Sequence, residues 1–294
     1  MSTPTAHSKF YEPIVPSDQI QYREYKLLLK PERFPDEKGF HKFWKIAHHA
    51  AKSLGIKLGK IDESIKPHQR EVVFYDTPHF KLYNHGFILR RRVSYVDGFP
   101  VGDPEIVFKF RHPDKQTAAS VDVRPNIKGS YRIKFKMQNV SRHGGASRLL
   151  YSHNCQFPAT QVHERDRTAV ATLLRVFPAL RVLRKSNGER VRLVNEAFVE
   201  ELLVPAGRLD FGKGMCAKSE VALWRTRADH RALAAEFSFQ IKFDRLDDLS
   251  DKARARAKKF FAVLQHRAHD WIARGATKAG VVYGLKRRVP GRLE

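Results

Sequence analysis

The sequence has little cysteine, and it has no long apolar run. Its 294 residues include only two cysteines, Cys155 and Cys216, which cannot form a disulfide framework and suit a reducing compartment. No apolar stretch approaches the roughly 20 residues of a membrane-spanning helix. The first residues also lack the basic and then apolar pattern of a secretory signal. We therefore expect a cytoplasmic protein that does not insert into a membrane.

Acidic residues are scarce relative to basic ones, at 31 against 55, which gives a formal net charge of +24. Such a chain repels itself in a compact state unless an anionic partner offsets the charge. The hydrophobic content of 42% and the aromatic content of 11% are enough for a sizeable core and exclude wholesale disorder. The composition predicts a folded protein with an anionic partner, among nucleic acid, acidic lipid, polyphosphate and nucleoside phosphates.

The order of local patterns predicts an α+β fold built around a large antiparallel sheet or a closed barrel. Strands are predicted at 19–30, 70–75, 87–95, 105–111, 131–140, 190–204, 218–225 and 233–243. Helices are predicted at 38–54, 160–177 and 248–274, and a long loop at 140–158. We expect a flexible segment at 1–18, one domain at 19–285 with an insertion at about 114–158, and a basic tail at 286–294.

A pattern of two basic residues separated by one other residue recurs on the predicted strands. The pairs are Arg90 with Arg92, Lys109 with Arg111, Lys134 with Lys136, and Arg190 with Arg192. Residues two apart on a strand share one face of the sheet. For a single pair, a solvated face is the simpler interpretation. Recurrence on several strands favours a basic channel, because like charges on strands about 5 Å apart destabilise each other unless an anion lies between them.

Six short motifs follow one another along the chain in a specific order. They are YREYK at 22–26, FYDTP at 74–78, GFILRRR at 86–92, FKFR at 108–111, AEFSFQ at 235–240 and ATKAGVVYG at 276–284. This succession resembles the CYTH superfamily, or triphosphate tunnel metalloenzymes, whose corresponding motifs are E-x-E-x-K, Y-F-D-T-P, G-x-x-L-R-x-R, T-L-K-x-R, E-x-E-x-E and S-K-A-x-x-G-Y. The resemblance implies a closed antiparallel tunnel of about eight strands with flanking helices.

The resemblance also implies a function. We expect a metal-dependent phosphohydrolase that acts on inorganic triphosphate, short polyphosphate or a nucleoside triphosphate. Lys26 and Glu24 would act in catalysis, and Glu24, Glu236 and Glu220 would hold Mg²⁺ or Mn²⁺. The phosphates would be bound by the basic set of Arg90, Arg92, Lys109, Arg111, Lys134, Lys136, Arg190 and Arg192.

Several acids of the family pattern are replaced in this chain. Tyr22, Ser238 and Gln240 occupy positions where the motifs have glutamate, and Trp224 occupies one where aspartate is common. The nearby Glu200 and Glu201 are interpreted as part of a solvated face. An alternative is therefore a degenerate tunnel that binds polyphosphate, a nucleotide or RNA ends without turnover, and an adenylate cyclase-like activity is a third possibility. Nucleic acid is a possible partner in the second case.

Overall fold

The structure is a computed structural model, and it describes residues 19–59, 67–141, 147–164, 166–245, 248–273 and 277–284. The strands in these ranges are β1 (Tyr22–Leu29), β2 (Lys57–Leu58), β3 (His68–Asp76), β4 (Phe87–Val96), β5 (Phe99–His112), β6 (Arg132–Ser141), β7 (Ser147–Pro158), β8 (Arg192–Leu193), β9 (Val199–Asp210), β10 (Cys216–Thr226) and β11 (Ala232–Lys242). The α-helices are α1 (Glu37–Lys52), α2 (Lys81–Asn84), α3 (Lys115–Ser120), α4 (Val170–Val176), α5 (Asp251–Arg267) and α6 (Lys278–Gly284). The segments predicted as a flexible lead-in at 1–18 and as a basic tail at 286–294 lie outside the described residues.

Nine of the strands close into a ring. The order around it is β9, β10, β11, β1, β6, β7, β5, β4 and β3, and β3 pairs with β9 to complete the circle. The two-residue strands β2 and β8 extend the edges of β9 and β3. The prediction of a CYTH-like tunnel barrel with flanking helices is confirmed, with nine strands in the ring rather than about eight.

One neighbouring pair in the ring, β1 and β6, runs parallel. Every other pair of ring neighbours runs antiparallel. An odd number of strands cannot alternate in direction all the way around a closed ring, so nine strands require at least one parallel pair. The antiparallel prediction is therefore correct for every ring pair except this one.

The barrel interior holds charged and polar side chains, two apolar clusters lie outside the barrel, and a third lies inside it against α6. On β1, Tyr25 and Leu27 belong to the outer core, whereas Glu24 and Lys26 line the interior. This is the period-two alternation of a strand. The helices α1 and α5 cover this side of the barrel, and α4 covers a second apolar cluster on the other. In the part of the chain that the structure describes, no helix has the length and apolar character needed to cross a membrane.

The prediction of a long loop at 140–158 is wrong, because residues 147–158 form β7. This strand pairs with both β5 and β6. Asn154 and Gln156 of this strand line the barrel interior, and they alternate with Cys155 and Phe157, which are buried in the outer core. A strand with a polar inner face has the composition of a loop. Two of the nine ring strands, β6 and β7, thus fall within the segment predicted as an insertion at 114–158.

Two more predicted elements are shorter than expected. Of the helix predicted at 160–177, only α4 is α-helical, and before it Asp166 accepts hydrogen bonds from the backbone N–H groups of Thr168 at 3.1 Å and Ala169 at 3.2 Å in a turn. The strand predicted at 190–204 is interrupted by a 3₁₀ turn. There Asn195 and Glu196 have φ values of 53° and 56°, which no strand can accommodate.

One end of the barrel is closed by α6, which is held in place by a buried carboxylate. Asp76, in the FYDTP motif, is 1% exposed and accepts hydrogen bonds from the backbone N–H groups of Thr77 at 2.7 Å, Leu82 at 2.9 Å and Tyr83 at 2.9 Å. It also accepts a hydrogen bond at 3.1 Å from the hydroxyl of Tyr283 in α6. The motif therefore has a structural role, since it joins the end of β3 to α2 and α6.

We expect Asp76→Ala to lower the free energy of unfolding by about 3 kcal/mol or more, because it leaves buried N–H donors without an acceptor at roughly 1–3 kcal/mol each. Urea denaturation measures this. Asp103→Ala is the matched control: its exposed carboxylate accepts one bond from Thr160 at 3.2 Å, and we expect a change within about 0.5 kcal/mol. Equal changes in the two variants would contradict the assigned role.

Candidate functional site

The ring encloses a lumen with a volume of about 320 Å³. Ten basic side chains of the described residues line it: Lys26, Arg70, Arg90, Arg92, Lys109, Arg111, Arg132, Lys134, Lys136 and Lys278. Five acidic side chains line it as well: Glu24, Glu105, Glu201, Glu220 and Glu236. The described lining is therefore strongly positive, and walls of low dielectric constant focus the field of these charges inside it.

Three of the four predicted basic pairs converge in this lumen, namely those of β4, β5 and β6. The predicted catalytic and metal-binding positions Glu24, Lys26, Glu220 and Glu236 line it too. Convergence follows from the register: β4 lies beside β5, with Arg90 opposite Val107 and Ile88 opposite Lys109, so the two basic pairs share the inner face.

Arg190 and Arg192 do not line the lumen, although they have the same spacing. The side chain of Arg190 is 68% exposed and forms an ion pair with Asp166 at 2.7 Å on the outer surface. Arg192 belongs to β8, which is attached to the end of β3 outside the ring. The spacing predicts a shared face, but that face is inside the barrel only when the strand is part of the ring.

Lys26 lies between two lumen carboxylates. Its Nζ atom is 3.5 Å from Oε2 of Glu24 and 3.3 Å from Oε1 of Glu236. Burial alone would lower the pKa of Lys26, but Glu236 and Glu24 outweigh it and hold the pKa above its ordinary value. Burial likewise opposes ionisation of Glu24, yet Lys136 and Lys26 hold its pKa well below the ordinary value. All three groups are therefore charged at neutral pH.

A second charged cluster lies at the closed end, and the sequence did not reveal it. Glu201 Oε2 accepts hydrogen bonds from Nε of Arg70 at 3.0 Å and from its Nη2 at 2.6 Å. Glu201 Oε1 is 3.3 Å from Nζ of Lys278 and accepts a bond of 2.8 Å from the indole N–H of Trp224. Arg70 and Lys278 outweigh burial and hold the pKa of Glu201 well below its ordinary value.

Glu201 is 3% exposed and Glu200 is 5% exposed, so the interpretation of both as solvated residues is wrong. The signal that could have located Glu201 is the pairing of β9 with β10, which places it directly opposite Trp224. That register is set by long-range contacts. The sequence analysis included Lys278 only as part of the ATKAGVVYG motif and predicted no role for its side chain.

Two of the residues that replace acids of the family pattern contact lysines of the lumen. Gln240 accepts a hydrogen bond from Nζ of Lys136 at 2.6 Å. The ring of Tyr22 lies 5.3 Å from Nζ of Lys136 and 5.5 Å from Nζ of Lys134, which are cation–π distances. These neutral groups orient the two lysines without neutralising them.

Two lumen cations have no carboxylate in direct contact among the described residues, although Glu24 acts on Lys109, and Glu201 and Glu105 act on Arg90, from a longer distance. Neither Arg90 nor Lys109 forms an ion pair or a side-chain hydrogen bond with any described residue, and Lys109 is only 8% exposed. Burial, Arg111 and Arg90 lower the pKa of Lys109 well below its ordinary value. Burial and Arg92 do the same to the pKa of Arg90, whose Nε is buried without a hydrogen-bond acceptor. An anion in the lumen would supply what both residues lack.

The donor set of the lumen does not fit a resident Mg²⁺ or Mn²⁺ ion. The two acids on neighbouring strands, Glu24 and Glu236, both contact Lys26, so an ammonium group already lies between them. Glu220 is exposed. No group of three or more His, Cys, Asp or Glu side chains in the described part of the chain is arranged to hold a metal ion. Lysine occupies the place that a divalent cation would need.

No protein-family model and no curated protein matches the sequence. Among solved structures, the fold is similar to that of a putative adenylyl cyclase from Hippeastrum described as having a dominant triphosphatase activity, at 11% identity and a TM-score of 0.40, covering 92% of this chain and 98% of that one. A putative adenylate cyclase from Bacillus halodurans is 9% identical with a TM-score of 0.38, covering 87% and 94%. One from Vibrio parahaemolyticus is 12% identical with a TM-score of 0.32, covering 87% and 96%.

All three TM-scores lie below 0.5. The closed ring and the charged lumen are therefore described from this chain itself. The activities given for the neighbours are statements about those proteins.

Two lysine substitutions are expected to change stability in opposite directions. We expect Lys109→Met to raise the free energy of unfolding by about 1 kcal/mol or more, because it removes a buried charge that has no partner. Lys26→Met leaves Glu24 and Glu236 without the ammonium between them, and we expect a loss of roughly 3 kcal/mol. Urea denaturation of both variants without ligand measures the difference. Destabilisation by Lys109→Met as large as that by Lys26→Met would contradict the description of Lys109 as unpaired.

Proposed function

We propose that the protein binds a linear, phosphate-rich anion in the lumen: inorganic triphosphate, a short polyphosphate or the triphosphate group of a nucleotide. The main support for this proposal is the pair of lumen cations, Arg90 and Lys109, with which no described carboxylate forms an ion pair. Buried charges are strongly unfavourable unless they are paired. A phosphate chain is an anion whose charge is spread along its length, and it matches cations that project from several strands.

The arginines and the lysines of the lumen would bind the phosphate groups in different ways. The guanidinium groups of Arg90, Arg92 and Arg111 offer planar forks suited to two oxygens of one phosphoryl group. The ammonium groups of Lys109 and Lys136 act as compact point charges. Lys26 is held by Glu24 and Glu236 and would orient a terminal phosphoryl group at the acidic side of the lumen. Binding in this form needs no resident metal ion.

We expect inorganic triphosphate to raise the melting temperature of the protein, and the shift to persist in EDTA, because the protein's own cations bind the anion. Lys109→Met and Arg90→Met should each weaken binding at least tenfold, since a charge-assisted hydrogen bond contributes roughly 1.5–3 kcal/mol. Thermal denaturation and isothermal titration calorimetry measure the two effects.

The matched control for Lys109→Met is Lys258→Met, which removes an exposed lysine of α5 on the outside of the barrel. Its affinity for triphosphate should stay within a factor of two of the unmodified protein. A shift that disappears in EDTA, or equal losses in Lys258→Met and Lys109→Met, would contradict metal-free binding in the lumen.

Hydrolysis of the bound anion is a second candidate, favoured by the ionised Glu24 and Glu236 next to the cationic set. A carboxylate beside a bound phosphate chain can orient an attacking water, and the surrounding cations can neutralise the charge that develops on the oxygens. Metal dependence, polyphosphate as the natural ligand, and a cyclase-like reaction remain predictions.

If the second candidate is correct, the protein releases inorganic phosphate from triphosphate, and Glu24→Gln lowers the rate at least 100-fold while binding is retained. Phosphate release is measured with Mg²⁺, with Mn²⁺ and in EDTA. Glu105→Gln is the control, since Glu105 lines the lumen beside Arg92 at 3.3 Å, away from Lys26. Absence of phosphate release under all three conditions leaves a binding protein and rejects the hydrolase.

A further inference from the structure

The middle arginine of the GFILRRR motif is not part of the tunnel. Arg90 and Arg92 point into the lumen, and the alternation of β4 directs Arg91 to the outer face of the barrel. There it lines a different cavity, between the outer faces of β4, β5 and β7 and the segment that contains α4. The proposed function of the tunnel does not account for this residue or for this cavity.

The outer cavity has a volume of about 270 Å³, close to the lower end of the roughly 300–1,000 Å³ typical of small-molecule sites. Its walls are predominantly apolar. They include the aliphatic and aromatic side chains of Leu89, Ile106, Phe157, Leu173, Val176 and Phe177. Such walls suit an alkyl chain or one aromatic ring and exclude a polyanion, so the ligand class differs from that of the lumen.

Two arginines add a polar region to this apolar cavity. Arg91 donates one hydrogen bond through Nη2 to Glu71 at 3.3 Å, and its Nε is buried with no acceptor in the described structure. The second arginine, Arg167, is exposed at the cavity lining, and no described carboxylate forms an ion pair with it. A buried donor without an acceptor costs free energy, and a carboxylate oxygen from a ligand would satisfy it.

We propose that this outer cavity is a binding site for a small amphipathic monocarboxylate, with an alkyl chain or a single aromatic ring in the apolar part and its carboxylate on Arg91 and Arg167. The site is separate from the tunnel and does not depend on the proposed function. Its size limits the ligand to a small molecule. Its single cationic region distinguishes a carboxylate from an uncharged molecule of the same shape.

The experiment uses octanoate as the probe and octanamide as its uncharged match, with the full chain and with inorganic triphosphate present in excess. Isothermal titration calorimetry should show saturable binding of octanoate and at least tenfold weaker binding of octanamide. Arg91→Gln should weaken octanoate binding at least tenfold. Ala159→Phe, which places a ring into the cavity from a partly exposed position, should abolish it.

The controls are Arg181→Gln and Val182→Phe, which change exposed positions that do not line the cavity, and both should bind octanoate normally. Thermal denaturation establishes that each variant is folded. The proposal is overturned by a lack of saturable octanoate binding, by equal affinities for octanoate and octanamide, or by undiminished binding in Ala159→Phe. If octanoate binds only when triphosphate is absent, it occupies the tunnel, and the outer site is rejected.

Discussion

The charge imbalance inside a closed barrel is the constraint on which the rest of this structure depends. In the described part of the chain, ten basic side chains and five acidic ones share a lumen of about 320 Å³. On an open sheet, bulk water and salt would screen these charges. In a ring the strands on every side replace that solvent, so each unpaired cation raises the free energy of the folded state. Among the described residues, Arg90 and Lys109 carry this cost, which the anion proposed to bind in the lumen would remove.

The parallel pair β1–β6 determines which groups meet at the acidic side of the lumen. Its register places Tyr22 opposite Lys136 and Glu24 opposite Gln138. On the other edge of β1, Lys26 lies opposite Ser238 of β11. Lys26 and Lys136 therefore reach the same carboxylate, Glu24, from adjacent strands. A closed ring of nine strands needs a parallel pair, and in this chain that pair lies in the middle of the site.

The sequence predicted those features that depend on short-range periodicity. The i, i+2 spacing of Arg90 with Arg92, and of Lys109 with Arg111, identifies a shared strand face, and the ordered motifs indicate a tunnel. Periodicity does not reveal which strands belong to the ring, so Arg190 and Arg192 were included although β8 lies outside it. Periodicity also does not reveal that Glu201, which was interpreted as solvated, points into the lumen.

Features that depend on long-range register were missed for the same reason. The bond between Glu201 and Trp224 exists because β9 pairs with β10 in one particular register, and Lys278 reaches Glu201 only because α6 closes the end of the barrel. The strand β7 was missed because barrel strands with polar inner faces, here with Asn154 and Gln156, have the composition of loops. A rule that apolar residues face inward fails for a barrel that has two of its three apolar clusters on the outside.

We propose that the protein's own cations hold a phosphate chain inside the ring. A crystal structure of the protein grown with inorganic triphosphate in EDTA tests it most directly. We expect a phosphate chain in the lumen, with oxygens within hydrogen-bond distance of Nζ of Lys109 and the guanidinium group of Arg90. An anion bound only to the outer surface, with the lumen occupied by water alone, would contradict it.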